Sequence, residues 1–130
     1  MIQFTAQGKE RESMATQEKV ILETEELEWK EGASLLKLPQ GVKIKILSQD
    51  KPSGRMDMLV SFPPGYVEPR HVHEGYHSTI LLEGTWIVEG KVLRPGGYVF
   101  GPANVEHGPF ECPKGCLVFA SFYGRPEHHY

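Results

Sequence analysis

The stretch PRHVHEGYHSTILLEG, residues 69–84, places three histidines within seven positions: His71, His73 and His77. The other histidines are His107 and the terminal pair His128 and His129. Imidazole nitrogen is a donor that suits zinc, copper, iron and nickel. Side chains two apart on an extended strand project from the same face, so His71 and His73 point together. Two rings so placed can reach one ion at metal–nitrogen distances of ~2.0–2.1 Å. The HEGYH turn lets His77 open the next strand opposite them. His107 follows a second turn-rich segment, RPGGYVFGPANVEHGPF, at the mouth of a strand. Buried imidazoles each need a hydrogen-bond partner, and the local sequence offers few. One shared divalent ion meets that need, so His71, His73, His77 and His107 are the candidate ligands. His128 and His129 read as tail surface.

Other groups able to do chemistry lie close by. Tyr76, between two candidate ligands, and Glu106, beside His107, are the nearest acid/base candidates. Neighbours on a strand point opposite ways, which counts against both. Tyr66, Trp86, Tyr98, Phe100, Phe110 and Phe119 are candidate pocket walls, with Phe122 near them, and each is equally a core residue. Glu68 and Arg70 precede the first ligand, at a pocket mouth or in solvent. Cys112 and Cys116 flank PKG and are expected to be reduced thiols, Cys116 on a core strand.

The elements that must position these residues are short. From residue 19 onward, strand-like runs alternate with turns rich in Gly and Pro: ILETEELEW, SLLKL, VKIKILS, RMDMLVSF, VEPRHVH, HSTILLEG, TWIVEG, YVFGP and CLVFASFY. Short strands at regular spacing indicate an all-β sandwich or barrel. In VKIKIL, Val42, Ile44 and Ile46 alternate with Lys43 and Lys45, which predicts one wet face. ATQEKVILETEEL is the one place where a short helix competes. Residues 1–18 are polar, without helix or strand period, and read as a flexible arm before a single domain spanning 19–130.

The chain has 130 residues, enough for one self-sufficient core. Its net charge of -3 excludes a general basic surface for nucleic acid. No apolar run approaches the ~18 residues of a membrane span, and the first residues lack the apolar centre of a secretory leader. A cytoplasmic location is expected.

On these residues the chain resembles the cupin superfamily. Its first motif, G-x5-H-x-H-x3-E-x6-G, fits Gly65, His71, His73, position 77 and Gly84 in every spacing, with His77 standing where glutamate is usual. The second motif is met loosely by Gly90, Pro95, Gly96, Gly97, Pro102 and His107, with Gly90 to Pro95 one residue short. The segment between motifs, Thr85 to Glu89, is short, as in small single-domain cupins. The resemblance implies a jelly-roll β-barrel, here with an N-terminal extension, holding one divalent transition metal (Fe, Mn, Zn, Ni or Cu). H-x-H-x3-H is similar to small four-histidine cupins, and its surroundings to three-histidine dioxygenases that cleave β-diketones. GCLVF looks like the cupin domain of anti-sigma factors. The implied function is a metal-dependent oxygenase binding a small carbonyl, enolate or aromatic substrate bidentately. The alternatives are a non-catalytic metal- or ligand-sensing cupin and a metal-dependent isomerase or lyase. A small-molecule substrate and a homodimer are the expected partners, the dimer joined through the edges of the N-terminal strands.

Overall fold

A computed structural model describes residues 18–124. The arm expected over 1–18 lies, apart from residue 18, outside the described residues, as do His128 and His129. After a 3-10 turn at Thr24–Glu26 come β1 (Lys30–Glu31), α1 (Gly32–Leu36), β2 (Lys43–Asp50), β3 (Arg55–Phe62) and β4 (Tyr66–Glu68). Then follow β5 (Tyr76–Gly84), β6 (Trp86–Val88), β7 (Lys91–Leu93), β8 (Tyr98–Gly101), β9 (Phe110–Cys112) and β10 (Cys116–Tyr123). Two antiparallel sheets result, one ordered β1-β2-β3-β10-β5-β8 and the other β4-β9-β6-β7. This is the all-β architecture that the spacing of turns implied, in the jelly-roll form that the resemblance implied. Among the described residues no helix is long and apolar enough to cross a membrane.

Alternation decides which face is inside. On β10, Cys116, Val118, Ala120 and Phe122 are buried, while Leu117, Phe119, Ser121 and Tyr123 are half-exposed. Register lines these residues up across the large sheet: Ile44 opposes Val60, Val60 opposes Val118, and Val118 opposes Leu81. All four are buried in one core cluster, and full burial of each aliphatic side chain contributes roughly 1.5–3 kcal/mol. This floor makes β5 rigid, and β5 carries His77 near its beginning.

Two local expectations are corrected. SLLKL is not a strand: Gly32–Leu36 is helical, and Lys37 ends it in a left-handed conformation at φ 57°. The chain must reverse between β1 and β2, which pair at Lys30 with Ile44 and Glu31 with Lys43. The helical turn accomplishes this and delivers Leu38 to the core. Gly32 is required there, because a Cβ would stand 2.9 Å from the Val42 carbonyl oxygen. The second correction concerns the wet face of β2. Lys45 is only 8% exposed. Its Nζ donates to the Thr24 carbonyl at 2.9 Å and stands 4.7 Å from the centre of the Trp29 ring. The segment before β1 thus covers that face. Strands β7 and β9, too short for a readable alternation, complete the small sheet.

Candidate metal centre

His77 lies on β5 with its side chain inward, opposite Phe122 on β10 and Gly101 on β8. Its ring stacks on Phe122 at 5.0 Å between centres and 27° between planes. His71 and His73 lie in the segment after β4, and His107 comes from the loop between β8 and β9. That loop is tied to the first segment by backbone. His71 N donates to His107 O at 3.0 Å, His107 N to His71 O at 2.7 Å, and Asn104 N to His73 O at 2.9 Å. The ladder brings position 107 beside position 71 although the sequence separates them widely.

The four rings converge. Centre-to-centre distances are 4.8 Å for His71–His73, 4.8 Å for His73–His77 and 5.0 Å for His77–His107. They are 5.5 Å for His73–His107 and 5.9 Å for His71–His107. Imidazoles bonded at ~2.0–2.1 Å have ring centres ~3.2 Å from the ion, and so lie ~4.5 Å apart at right angles and ~5.2 Å apart at tetrahedral angles. The observed spacings fall in and just above that range. Among the described residues no three His, Cys, Asp or Glu side chains stand as they are in positions to hold an ion. The ring centres have the spacing of a shared ion, while their nitrogens do not stand as a ligand set without rotation of the side chains.

One nitrogen is already assigned by its neighbours. His71 Nδ1 lies 2.9 Å from the Pro69 carbonyl oxygen, which can only accept. Nδ1 therefore carries the hydrogen, and in the neutral ring the lone pair is on Nε2. This is how ligating histidines are commonly oriented. His71, His73 and His77 are all buried, and His107 half-buried. Gly101 makes the close packing of His77 and His107 possible. A Cβ there would stand 2.4 Å from His77 Cε1 and 2.7 Å from His107 Cε1.

The rings open into a cavity of about 390 Å³ inside the barrel. Of the aromatics singled out in the sequence, Trp86, Phe100, Phe110 and Phe122 line it, and Phe62, which the sequence did not single out, joins them. Tyr66 stands behind the wall, packed on Phe62 and Phe110, with its hydroxyl donating to Glu68. Tyr98 and Phe119 are outside. Tyr98 is 59% exposed and donates to Ser78 Oγ, and Phe119 lines a separate surface groove together with Val20 and Leu22. Tyr76 also faces outward and stacks on Tyr123 at 4.9 Å, which removes it from the cavity. Glu106 lines the cavity and pairs with Arg70 at 3.2 Å at the exposed rim.

Glu89, in the short segment between the two motifs, also lines the cavity. It occupies a left-handed conformation, φ 50°, in the tight turn before Gly90. Its backbone N donates to Pro109 O at 2.9 Å and its carboxylate accepts from Gly108 N at 3.2 Å. Both bonds clamp it to the residues that follow His107. The only hint in sequence was the Glu-Gly pair, which suits a tight hairpin turn.

Cys112 and Cys116 are free thiols, both buried. Cys116 donates to the Thr85 carbonyl at 3.0 Å. The hydrogen bond shared with Cys116, burial, and the charge of Glu68 hold the Cys112 thiol well above the usual range.

Residues 17–124 match the family described as the ChrR cupin-like domain. No curated protein matches the chain by sequence. Among solved structures, KdgF from a Halomonas species is similar with a TM-score of 0.65 at 24% identity, over 84% of this chain and 96% of that one. An acetylacetone dioxygenase from Acinetobacter johnsonii gives a TM-score of 0.64 at 18% identity, over 83% and 74%. The complex of Rhodobacter sphaeroides SigE with the anti-sigma ChrR gives 0.59 at 23% identity, over 76% of this chain and 50% of that one. At these identities the likeness speaks for the fold. The family match spans the barrel and all four clustered histidines, and the chain belongs to the ChrR cupin-like domain family of cupins.

Proposed function

We propose that His71, His73, His77 and His107 hold one divalent transition metal and that the chain is a metal-dependent oxygenase for a small carbonyl compound bound as its enolate. The observation that carries this reading is the convergence of four imidazole rings at the wall of a mainly apolar cavity. Iron, zinc, nickel and copper fit an imidazole set in chemical type, whereas manganese favours oxygen ligands. Such an ion would supply Lewis acidity toward the substrate oxygens and, if redox-active, a route for electrons to dioxygen.

The chain's own residues supply the rest. Phe62, Trp86, Phe110 and Phe122 exclude water and hold the apolar part of the ligand. Among the described residues lining the cavity there is no lysine or arginine, and its two carboxylates are Glu89 and Glu106. That composition disfavours a permanently anionic ligand. It suits a neutral carbonyl compound that becomes an anion only after losing a proton inside. Glu89 and Glu106 are the groups placed to accept that proton. Glu89 is fixed by Gly108 N, and Glu106 is held at the rim by Arg70. The resemblance to an acetylacetone dioxygenase in fold supports the reading.

The test is elemental analysis of purified protein, followed by dioxygen uptake with a panel of β-diketones and hydroxyketones. Metal present with uptake on at least one substrate is the expected result. Membership of the ChrR cupin-like family favours a second reading, a non-catalytic cupin that binds a metal or ligand and signals its presence. Bound metal with no turnover across the panel, whichever metal is loaded, would move the assignment there. Turnover without dioxygen consumption would indicate an isomerase or lyase.

A further inference from the structure

Glu68 is 0% exposed, at the end of β4 three residues before His71. Its Oε2 lies 3.4 Å from His71 Nδ1, and its Oε1 accepts the hydroxyl of Tyr66. Tyr66 is two positions earlier on the same strand, so β4 presents both groups to the same side. A carboxylate this deep is expensive to bury unless charge and hydrogen bonds balance it. Stability alone is therefore a poor reason for its position.

We propose that Glu68, held by Tyr66, is a positioning residue for the histidine centre, setting the donor strength of His71 Nε2 from behind. The proposal rests on the four-histidine reading. Pro69 O is the nearer acceptor for Nδ1–H, at 2.9 Å against 3.4 Å for Glu68. A neutral carbonyl fixes the direction of the ring. A carboxylate adds negative charge along the same line, which makes Nε2 a stronger donor. Four neutral imidazoles bring no negative charge to a divalent ion. In a low-dielectric interior, a carboxylate one ring away is a charge that the ion would still feel. Tyr66 keeps the carboxylate from turning away, and its ring packs on Phe62 and Phe110.

The experiment compares wild type with Glu68→Gln, which keeps shape and removes charge, and Tyr66→Phe, which releases the carboxylate. Zinc affinity is measured by competition with a chromogenic chelator, and the site is probed by the visible spectrum of bound Co(II). Metal-free melting temperature and the ¹⁵N shifts of His71 are measured in parallel. Glu68→Gln should bind zinc roughly 10–100-fold more weakly and shift the Co(II) bands, with the metal-free melting temperature no lower than wild type. Tyr66→Phe should lie between. Zinc affinity of Glu68→Gln within twofold of wild type overturns the proposal. So does a loss of affinity matched by a loss of metal-free stability, since that marks a structural role. If wild type binds no zinc or cobalt, the four-histidine reading falls and the ¹⁵N shifts alone judge Glu68. With the Nδ1–H tautomer kept by Pro69 O in both proteins, a His71 Nε2 shift that moves in Glu68→Gln supports the positioning role, and an unchanged Nε2 shift ends it.

Discussion

Gly101→Ala is the sharpest probe of the histidine cluster, because it adds one methyl group at a known place. The new Cβ would stand 2.4 Å from His77 Cε1, 2.7 Å from His107 Cε1 and 2.9 Å from His77 Nε2. Ordinary contact begins near 3.4 Å, so the His77 ring must retreat by about 1 Å. Its retreat is blocked by Phe122, stacked on the other side at 5.0 Å. Metal–ligand distances tolerate only about ±0.2 Å. Two of the four rings would therefore leave register together, and metal affinity should fall at least ~100-fold, or about 2.8 kcal/mol. Overpacking should also destabilise the metal-free barrel by roughly 1–3 kcal/mol, which is ~4–12 °C in melting temperature for a domain of this size. The assay is zinc competition beside thermal melts with and without chelator, using Ser78→Ala, a half-exposed position on β5, as control. A Gly101→Ala protein that binds zinc within threefold of wild type would refute the reasoning. The rings would then not meet over Gly101 at the ion.

Exchanging His77 for Glu should leave metal content near wild type and reduce turnover of a carbonyl substrate, since a charged ligand weakens the ion's hold on an anionic enolate; metal analysis with dioxygen uptake checks both. Lys45→Met removes the bond to Thr24 O and the contact over Trp29, which should cost about 1–2 kcal/mol and speed chymotryptic cleavage before β1. The Cys112 thiol is raised in the fold, so its contribution is complete below the unfolded thiol value of about 8.5 and is lost as pH rises above it. Cys116 is lowered by the bond from Cys112. Denaturant melts should show stability falling as pH rises above that point, with a flatter slope in Cys112→Ala. Finally, β1, in the N-terminal segment, is an edge of the large sheet of the kind that invites pairing; light scattering should give a dimer, and a concentration-independent monomer mass would refute pairing there.

What sequence could reveal depended on how far each signal reached along the chain. The alternation of β10 extends over eight residues, so its inward face was legible. β4, β7 and β9 have three residues each, too few for alternation to register, and β7 and β9 were missed. SLLKL has the composition of a strand but sits where the chain must turn back on itself between two paired strands. Tertiary reversal outweighed local preference there. Lys45 followed the rule for an exposed lysine until the segment before β1 folded over it, and no local pattern encodes that cover.

The same distinction holds inside the candidate site. His71, His73 and His77 fall within one short segment, and their mutual placement follows from period-two geometry and one turn. His107 depends on the backbone bonds from His71 and to His73, which a residue list does not display. The outward side of β5 shows the limit of reading by proximity. Tyr76 is adjacent to His77 in sequence, yet the pleat that turns His77 inward must turn Tyr76 outward. Glu89 is distant from every histidine in sequence, yet the turn after β6 swings its carboxylate onto Gly108 N, next to His107. Its left-handed backbone, φ 50°, is a strained choice for a glutamate. Asparagine or glycine would adopt that turn more easily. Neither could put a carboxylate of that reach into the cavity, and that is a physical reason for finding glutamate there.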